Sequence, residues 1–129
     1  MNGPTHAVGS GTIMAIATYW DSRGGNSAVK PYEERIATAI AAGGLGALCG
    51  SLPDVLEPAL HPNHRQFFHS VIFGIAMFEC LRHVYRWRPN NDWQRLLRGV
   101  TLIAGGAYLV HLMMDATTKK SLPLFGKLP

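Results

Sequence analysis

The chain is poor in charge and in cysteine, and both scarcities narrow what it can be. Charged residues make up 16 % of 129 positions, and the formal net charge is only +4. A nucleic-acid surface usually carries a dense basic stripe, so this composition argues against nucleic acid as a partner. The only two cysteines, Cys49 and Cys80, lie in apolar helical stretches without metal-binding spacing. Both read as buried free thiols, and a reducing compartment is the default. Strand signals are missing, since no alternating run is bounded by hairpin turns. There is no Gly-rich phosphate loop, nucleophile elbow or CxxC pair. The start, Met1 to His6, lacks the basic region of a secretory signal. Repeats and low-complexity tracts are absent.

What the chain does have is apolar, helical and punctuated. At 129 residues, with 47 % apolar content, it is sized for one domain with one core. The first helix starts near Pro4 or Thr5 and runs to about Trp20, and residues 21–27 form a polar loop. Pro31 suits a first helical position, and Glu33 and Glu34 complement the positive end of the second helix. In that helix Ala39, Gly43 and Ala47 put small residues on one face, which permits close helix approach. Pro53, Pro58 and Pro62 keep the next connection out of a long helix. Asn63 and Gln66 have capping-box spacing, so the third helix starts there and runs to about Trp87. Asn91 and Gln94 repeat the spacing and open a fourth helix, from Asp92 to about Thr117. The expected fold is all-α, one antiparallel bundle of four main helices spanning residues 1–129 as a single domain.

Metal-ligand residue types sit at particular places in that bundle. His6 is at the start of the first helix, and Asp54 lies at the exit of the second. His64 and His69 open the third, and His111 and Asp115 close the fourth. In an up-down-up-down bundle these ends share one pole. His111 and Asp115, four apart, share a helix face. His64 and His69 are about 140° apart on an ideal helix, so they meet one cation only if His64 sits at the frayed start. Taken singly, each has a plainer reading as a capping, core or terminal residue. Glu57 and His61 lie in the connecting loop as extra ligands or a base, and His83 reads as an exposed helix residue at the other pole. Arg65, inside the cluster, and Lys119 and Lys120 close behind Asp115 favour an anionic substrate such as a phosphoester. The lysines suit a solvated helix end equally well. Phe67, Phe68, Phe73 and Phe78 fall at helical spacings and read as core.

Residues 36–53 carry neither Lys, Arg nor acid, long enough for a membrane span, and a buried bundle helix fits them equally well. The chain's mean hydropathy of +0.07 is low for a protein made mostly of spans. Arg23, Lys30, Arg35, Arg82, Arg86, Arg88, Arg95 and Arg98 gather toward the pole opposite the histidines. If the helices span, the basic-loop rule puts that pole in the cytoplasm. If they do not, the same pole can rest on anionic lipid.

These residues together resemble the YdjM-like family. The resemblance runs from His6 in Pro-Thr-His-Ala, through Leu52-Pro53-Asp54 and His64-Arg65 with His69-Ser70, to His111-Leu112-Met113-Met114-Asp115-Ala116-Thr117 and Leu122-Pro123-Leu124. Leu56 stands where the family usually has a second acid, with Glu57 next to it. Gln66 and Phe68 replace the Gly and Thr of its usual His-Arg-Gly-x-Thr-His-Ser. The resemblance implies an inner-membrane-associated metal-dependent hydrolase, grouped with the all-helical zinc enzymes of the phospholipase C and P1 nuclease type.

The expectation is therefore a hydrolase of a phosphoester, such as a phospholipid, at the bacterial inner membrane or its surface. His6, Asp54, His64, His69, His111 and Asp115 would hold one or two divalent cations, zinc first, with Arg65 on the phosphate and Glu57 as a base. The alternative is a non-catalytic helical membrane or assembly protein with a structural or vestigial metal site. Cytoplasmic residence goes with the reading in which no helix spans.

Overall fold

A computed structural model describes residues 3–24, 31–56 and 68–117, and among these every regular element is helical. They are α1 (Gly3–Gly24), α2 (Tyr32–Cys49), α3 (Leu52–Leu56), α4 (Val71–Arg86) and α5 (Asp92–Ala116). The four long helices are those expected, arranged as antiparallel neighbours. Helix α1 lies along α2 and α5, and α4 lies along α5.

Local chemistry sets most of the helix ends. Pro31 precedes α2 in extended geometry and its carbonyl accepts from Arg35 N–H at 3.1 Å, while Glu33 and Glu34 fill the first turn. The start of α5 is closed by the reciprocal pair read from the sequence. Asn91 Oδ1 accepts from Gln94 N–H, and Gln94 Oε1 accepts from Asn90 N–H, both at 2.8 Å. Three boundaries differ from expectation. Helix α1 continues through Gly24 rather than stopping near Trp20. A short extra helix, α3, follows α2, because proline is tolerated in a first helical turn. Asp54 thus sits at the start of a new helix rather than past the end of one. Helix α4 begins at Val71, not near Asn63, because Ser70 caps it by accepting from Phe73 N–H at 3.2 Å. The Asn63–Gln66 spacing itself lies outside the described residues.

Small residues bring α1 against α2. A Cβ on Gly11 would lie 2.8 Å from Gly43 O and 3.1 Å from Ala47 Cβ, so this crossing is a backbone-to-backbone approach on the face read from Gly43 and Ala47. Helix α5 is tied on both sides. Ser10 Oγ donates to Ala107 O at 3.1 Å, Leu81 packs over Gly105, and Tyr108 Oη donates to Phe68 O at 3.0 Å.

The interior is unusual in what it contains. Among the described residues the buried apolar side chains are few, and half are alanine: Ala39, Ala42, Leu81, Ala107, Tyr108 and Leu112. The largest fully buried side chains include His6, His69, His111 and Asp115, whereas Val8, Ile16, Ile40, Leu48, Val55, Ile75 and Met113 face outward. Two expectations fail for this reason. Phe78 is 56 % exposed rather than core, and Cys80 is exposed rather than buried; Cys49 is half-buried. Apolar periodicity locates a helix face but not the medium it faces. Both cysteines are free thiols, and His83 is exposed, as expected.

Candidate metal centre

The four-helix arrangement brings the selected termini to one pole. His6 comes from the first turns of α1, Asp54 from α3, His69 from the turn before α4, and His111 and Asp115 from the end of α5. His6, His69 and His111 are each 1 % exposed or less, and Asp115 is 2 % exposed. The Asp54 side chain retains 40 % exposure, so the cluster is sealed on the helix side and opens past Asp54. His64, Arg65, Glu57, His61, Lys119 and Lys120 lie outside the described residues.

Within the cluster, ring nitrogens and carboxylate oxygens form two interlocking triads. His6, His111 and Asp115 make one, and Asp54, His69 and His111 the other, each with its ligand atoms within 4.8 Å of one another. His6 Nε2 lies 3.3 Å from Asp115 Oδ1. His69 Nε2 lies 3.7 Å from Asp54 Oδ1 and 3.8 Å from Asp115 Oδ2. His111 Nε2 lies 3.5 Å from Asp54 Oδ1 and 3.6 Å from Asp115 Oδ2. His6 and His111 stack at 4.0 Å between ring centroids, inclined by 27°.

The state of His111 is set from outside the cluster. Gly50 O, at the C-terminal end of α2, sits 2.6 Å from His111 Nδ1. A carbonyl only accepts, so Nδ1 carries the proton and Nε2 presents a lone pair. That Nε2 is buried and makes no hydrogen bond. Its two carboxylate neighbours are too far for hydrogen bonds yet too near for indifference. Two ligands at zinc bond lengths of about 2.0–2.1 Å in tetrahedral array stand roughly 3.3–3.4 Å apart. The observed 3.3–3.8 Å separations match or slightly exceed that edge. His6 lies outside both apolar spans described below. Burial first, and then the neighbouring His111, pull its pKa below the usual imidazole value, which favours the neutral form that a metal requires. Three imidazoles and two carboxylates facing one another over these distances are the donor types that hold a divalent cation. These His and Asp groups could hold a metal ion.

Sequence reasoning missed Gly50 and Ser10. Gly50 acts through its backbone carbonyl, which has no residue-type signature. A Cβ there would land on Ser10 Cβ and Oγ, so the carbonyl reaches His111 only because α1 and α2 touch at this level. Helix C-termini always leave unpaired carbonyls, the one general signal available.

Two segments, Tyr32–Leu56 and Asp92–Ala116, are long and apolar enough to cross a membrane, and only 22 % of each apolar window is buried inside the protein. Polar residues inside and large apolar residues outside are the reverse of a water-soluble pattern. At the far end from the cluster, Arg98 donates to Val84 O at 3.2 Å and Tyr85 O at 2.6 Å, and the Arg35 guanidinium lies 4.6 Å from the Tyr19 ring centroid. The side chain of Arg23, and Lys30, lie outside the described residues.

Fold and site together define a class: a small all-helical protein with an apolar exterior and a His/Asp pole. Residues 1–126 match the family described as YdjM inner membrane protein. The chain belongs to that family, and its two apolar helices fit an inner-membrane location. No curated protein and no solved structure matches it.

Proposed function

We propose that the protein is a metal-dependent hydrolase of phosphoesters working at the inner membrane, with zinc as its first-choice cation. The observation that carries this reading is His111 Nε2, a buried lone pair with no hydrogen bond, aimed between Asp54 and Asp115. His6, Asp54, His69, His111 and Asp115 are the ligand set among the described residues, and His64 joins them on sequence grounds. With Nδ1 committed to Gly50, His111 offers one nitrogen and binds one ion at a time, so the two triads hold one or two cations with His111 given to one of them. These residues would hold the cation, which would supply Lewis acidity to polarise a phosphoryl oxygen and activate water.

The chain's own residues do the rest. Gly50 O holds the His111 tautomer. The α1–α2 and α5 walls exclude water from the helix side, leaving approach past the part-exposed Asp54. Arg65, next to His64 in the chain, is the candidate to bind the phosphate, and Glu57 the candidate base. What the likeness to YdjM-like proteins implies, a grouping with all-helical zinc enzymes of the phospholipase C and P1 nuclease type, is the ground for choosing hydrolysis as the reaction class. All 129 residues act as one domain in this reading.

The alternative is a non-catalytic membrane or assembly protein that uses the same cation for structure, and the Leu56 side chain favours it. Leu56 is 51 % exposed and supplies no acid where the family usually has one. Metal analysis of tag-free protein, combined with turnover of a generic chromogenic phosphodiester and phosphomonoester, separates the two. The proposal expects about one or two bound divalent ions per chain and turnover abolished by a chelator and restored by zinc. Bound metal without turnover of either ester supports the structural role, and metal-free protein whose melting is unmoved by zinc contradicts both metal readings.

A further inference from the structure

Beside the cluster, α4 and α5 leave an open apolar groove of about 390 Å³. On α4 it is lined by Val71, Gly74, Ile75 and Phe78, and on α5 the same spacing recurs from Leu109 to Ala116. A spacing of i, i+3, i+4, i+7 makes one continuous stripe on each helix. The two stripes face a common channel about 10 Å long, seven residues at 1.5 Å each. Among the described residues Ser70 is the sole polar side chain in the lining, and its hydroxyl already accepts from Phe73 N–H.

The position of the groove matters more than its size. Its cluster-side end is formed by Ser70, Leu112 and Ala116, the residues that directly follow His69, His111 and Asp115 in the chain. From there it runs down the first two turns of α4 and back along the last two turns of α5, away from the polar pole. A ligand filling both places must carry a metal-seeking anion at one end and a hydrocarbon chain at the other. With the basic pole cytoplasmic, the cluster lies at headgroup depth on the opposite face and the groove descends into the hydrocarbon. Ile75 and Phe78, 59 % and 56 % exposed, line it as no soluble substrate would require.

We infer that the α4–α5 groove holds the hydrocarbon chain of an amphiphilic phosphate ester whose phosphate sits at the His/Asp cluster. This inference rests on the hydrolase reading above and specifies its substrate class: a lipid phosphate rather than a soluble one. Chain recognition and phosphate recognition are then separable, because the groove residues do not belong to the ligand set. A Cβ at Gly74 meets only Leu112 Cδ1, at an ordinary 3.4 Å, so a larger side chain there occupies the groove without disturbing backbone.

The test uses full-length, zinc-loaded protein in maltoside micelles, with methylphosphonate and dodecylphosphonate as probes whose carbon–phosphorus bonds resist hydrolysis. Affinities are measured by calorimetry for the wild type, Gly74→Phe and Ile75→Trp in the same micelles, so that partition of the long probe is common to all three. The wild type is expected to prefer the dodecyl probe by about tenfold or more, equivalent to about 1.4 kcal/mol. Both variants should lose that preference while keeping zinc content and methylphosphonate affinity. A preference retained in both variants, or absent from the wild type, overturns the inference. Protein that takes up no zinc yet keeps a Gly74-dependent preference for the long chain contradicts the hydrolase reading alone. Zinc-loaded protein indifferent to chain length contradicts the groove alone.

Discussion

His111→Ala is expected to abolish tight divalent-cation binding while leaving the protein helical and membrane-bound. His111 belongs to both triads, and its Nε2 faces Asp54 and Asp115 together at shorter range than His69 Nε2 does. Losing an outer-shell partner of a metal ligand usually weakens binding by about 10–100-fold, and losing this ligand itself should exceed that. Removing the imidazole also opens a void beside buried Asp115, so the metal-free variant should melt below the wild type. Competition against a zinc-sensitive dye, with circular dichroism on the same samples, checks both halves. Unchanged affinity in a folded variant would remove His111 from the ligand set.

Gly50→Ala should be the most damaging single-methyl change in the described protein. The added Cβ falls on Ser10 Cβ and Oγ and also lies 2.9 Å from Gly46 O. Overpacking of this kind usually costs about 1–3 kcal/mol. Here the strain has a chemical consequence, because relieving it separates α1 from α2 and moves the carbonyl that fixes the His111 tautomer. Zinc affinity is therefore expected to drop by about 10–100-fold, the usual effect of an outer-shell loss. Ser10→Gly removes the Ser10 atoms from the clash, leaving the approach to Gly46 O, and sacrifices the hydrogen bond to Ala107 O, worth about 1 kcal/mol, with a similar cost, about 1 kcal/mol, for glycine within α1. The double variant should recover zinc affinity more fully than stability. If Gly50→Ala melts lower but binds zinc as the wild type does, the carbonyl is structural and has no part in tuning the site.

Much of this arrangement could be read before any coordinates, for identifiable reasons. Pro31 with Glu33 and Glu34, and Asn91 with Gln94, mark helix starts through local chemistry that tertiary packing did not override. With four helices in antiparallel order, His6, Asp54, His69, His111 and Asp115 fall at alternate ends, and alternate ends meet. The failures are equally physical. The sequence places the start of α4 at Asn63 and Gln66, whereas the hydroxyl of Ser70 caps the described helix, which leaves His69 in a turn. Phe78 and Cys80 were assigned to a core because apolar periodicity is the same whether a face meets protein or lipid. Their exposure follows from a bundle whose interior is filled by alanine, glycine and polar groups. Gly50 could not have been picked out, since a backbone carbonyl is common to every residue.

Anomalous diffraction at the zinc edge, from crystals of zinc-loaded full-length protein, tests the central claim most directly. The account predicts a strong peak within bonding distance of His111 Nε2, about 2.0–2.1 Å, and of a carboxylate oxygen of Asp54 or Asp115. A peak at Cys49 or Cys80, or a cluster whose His111 Nε2 bonds to water with no anomalous signal nearby, would contradict it.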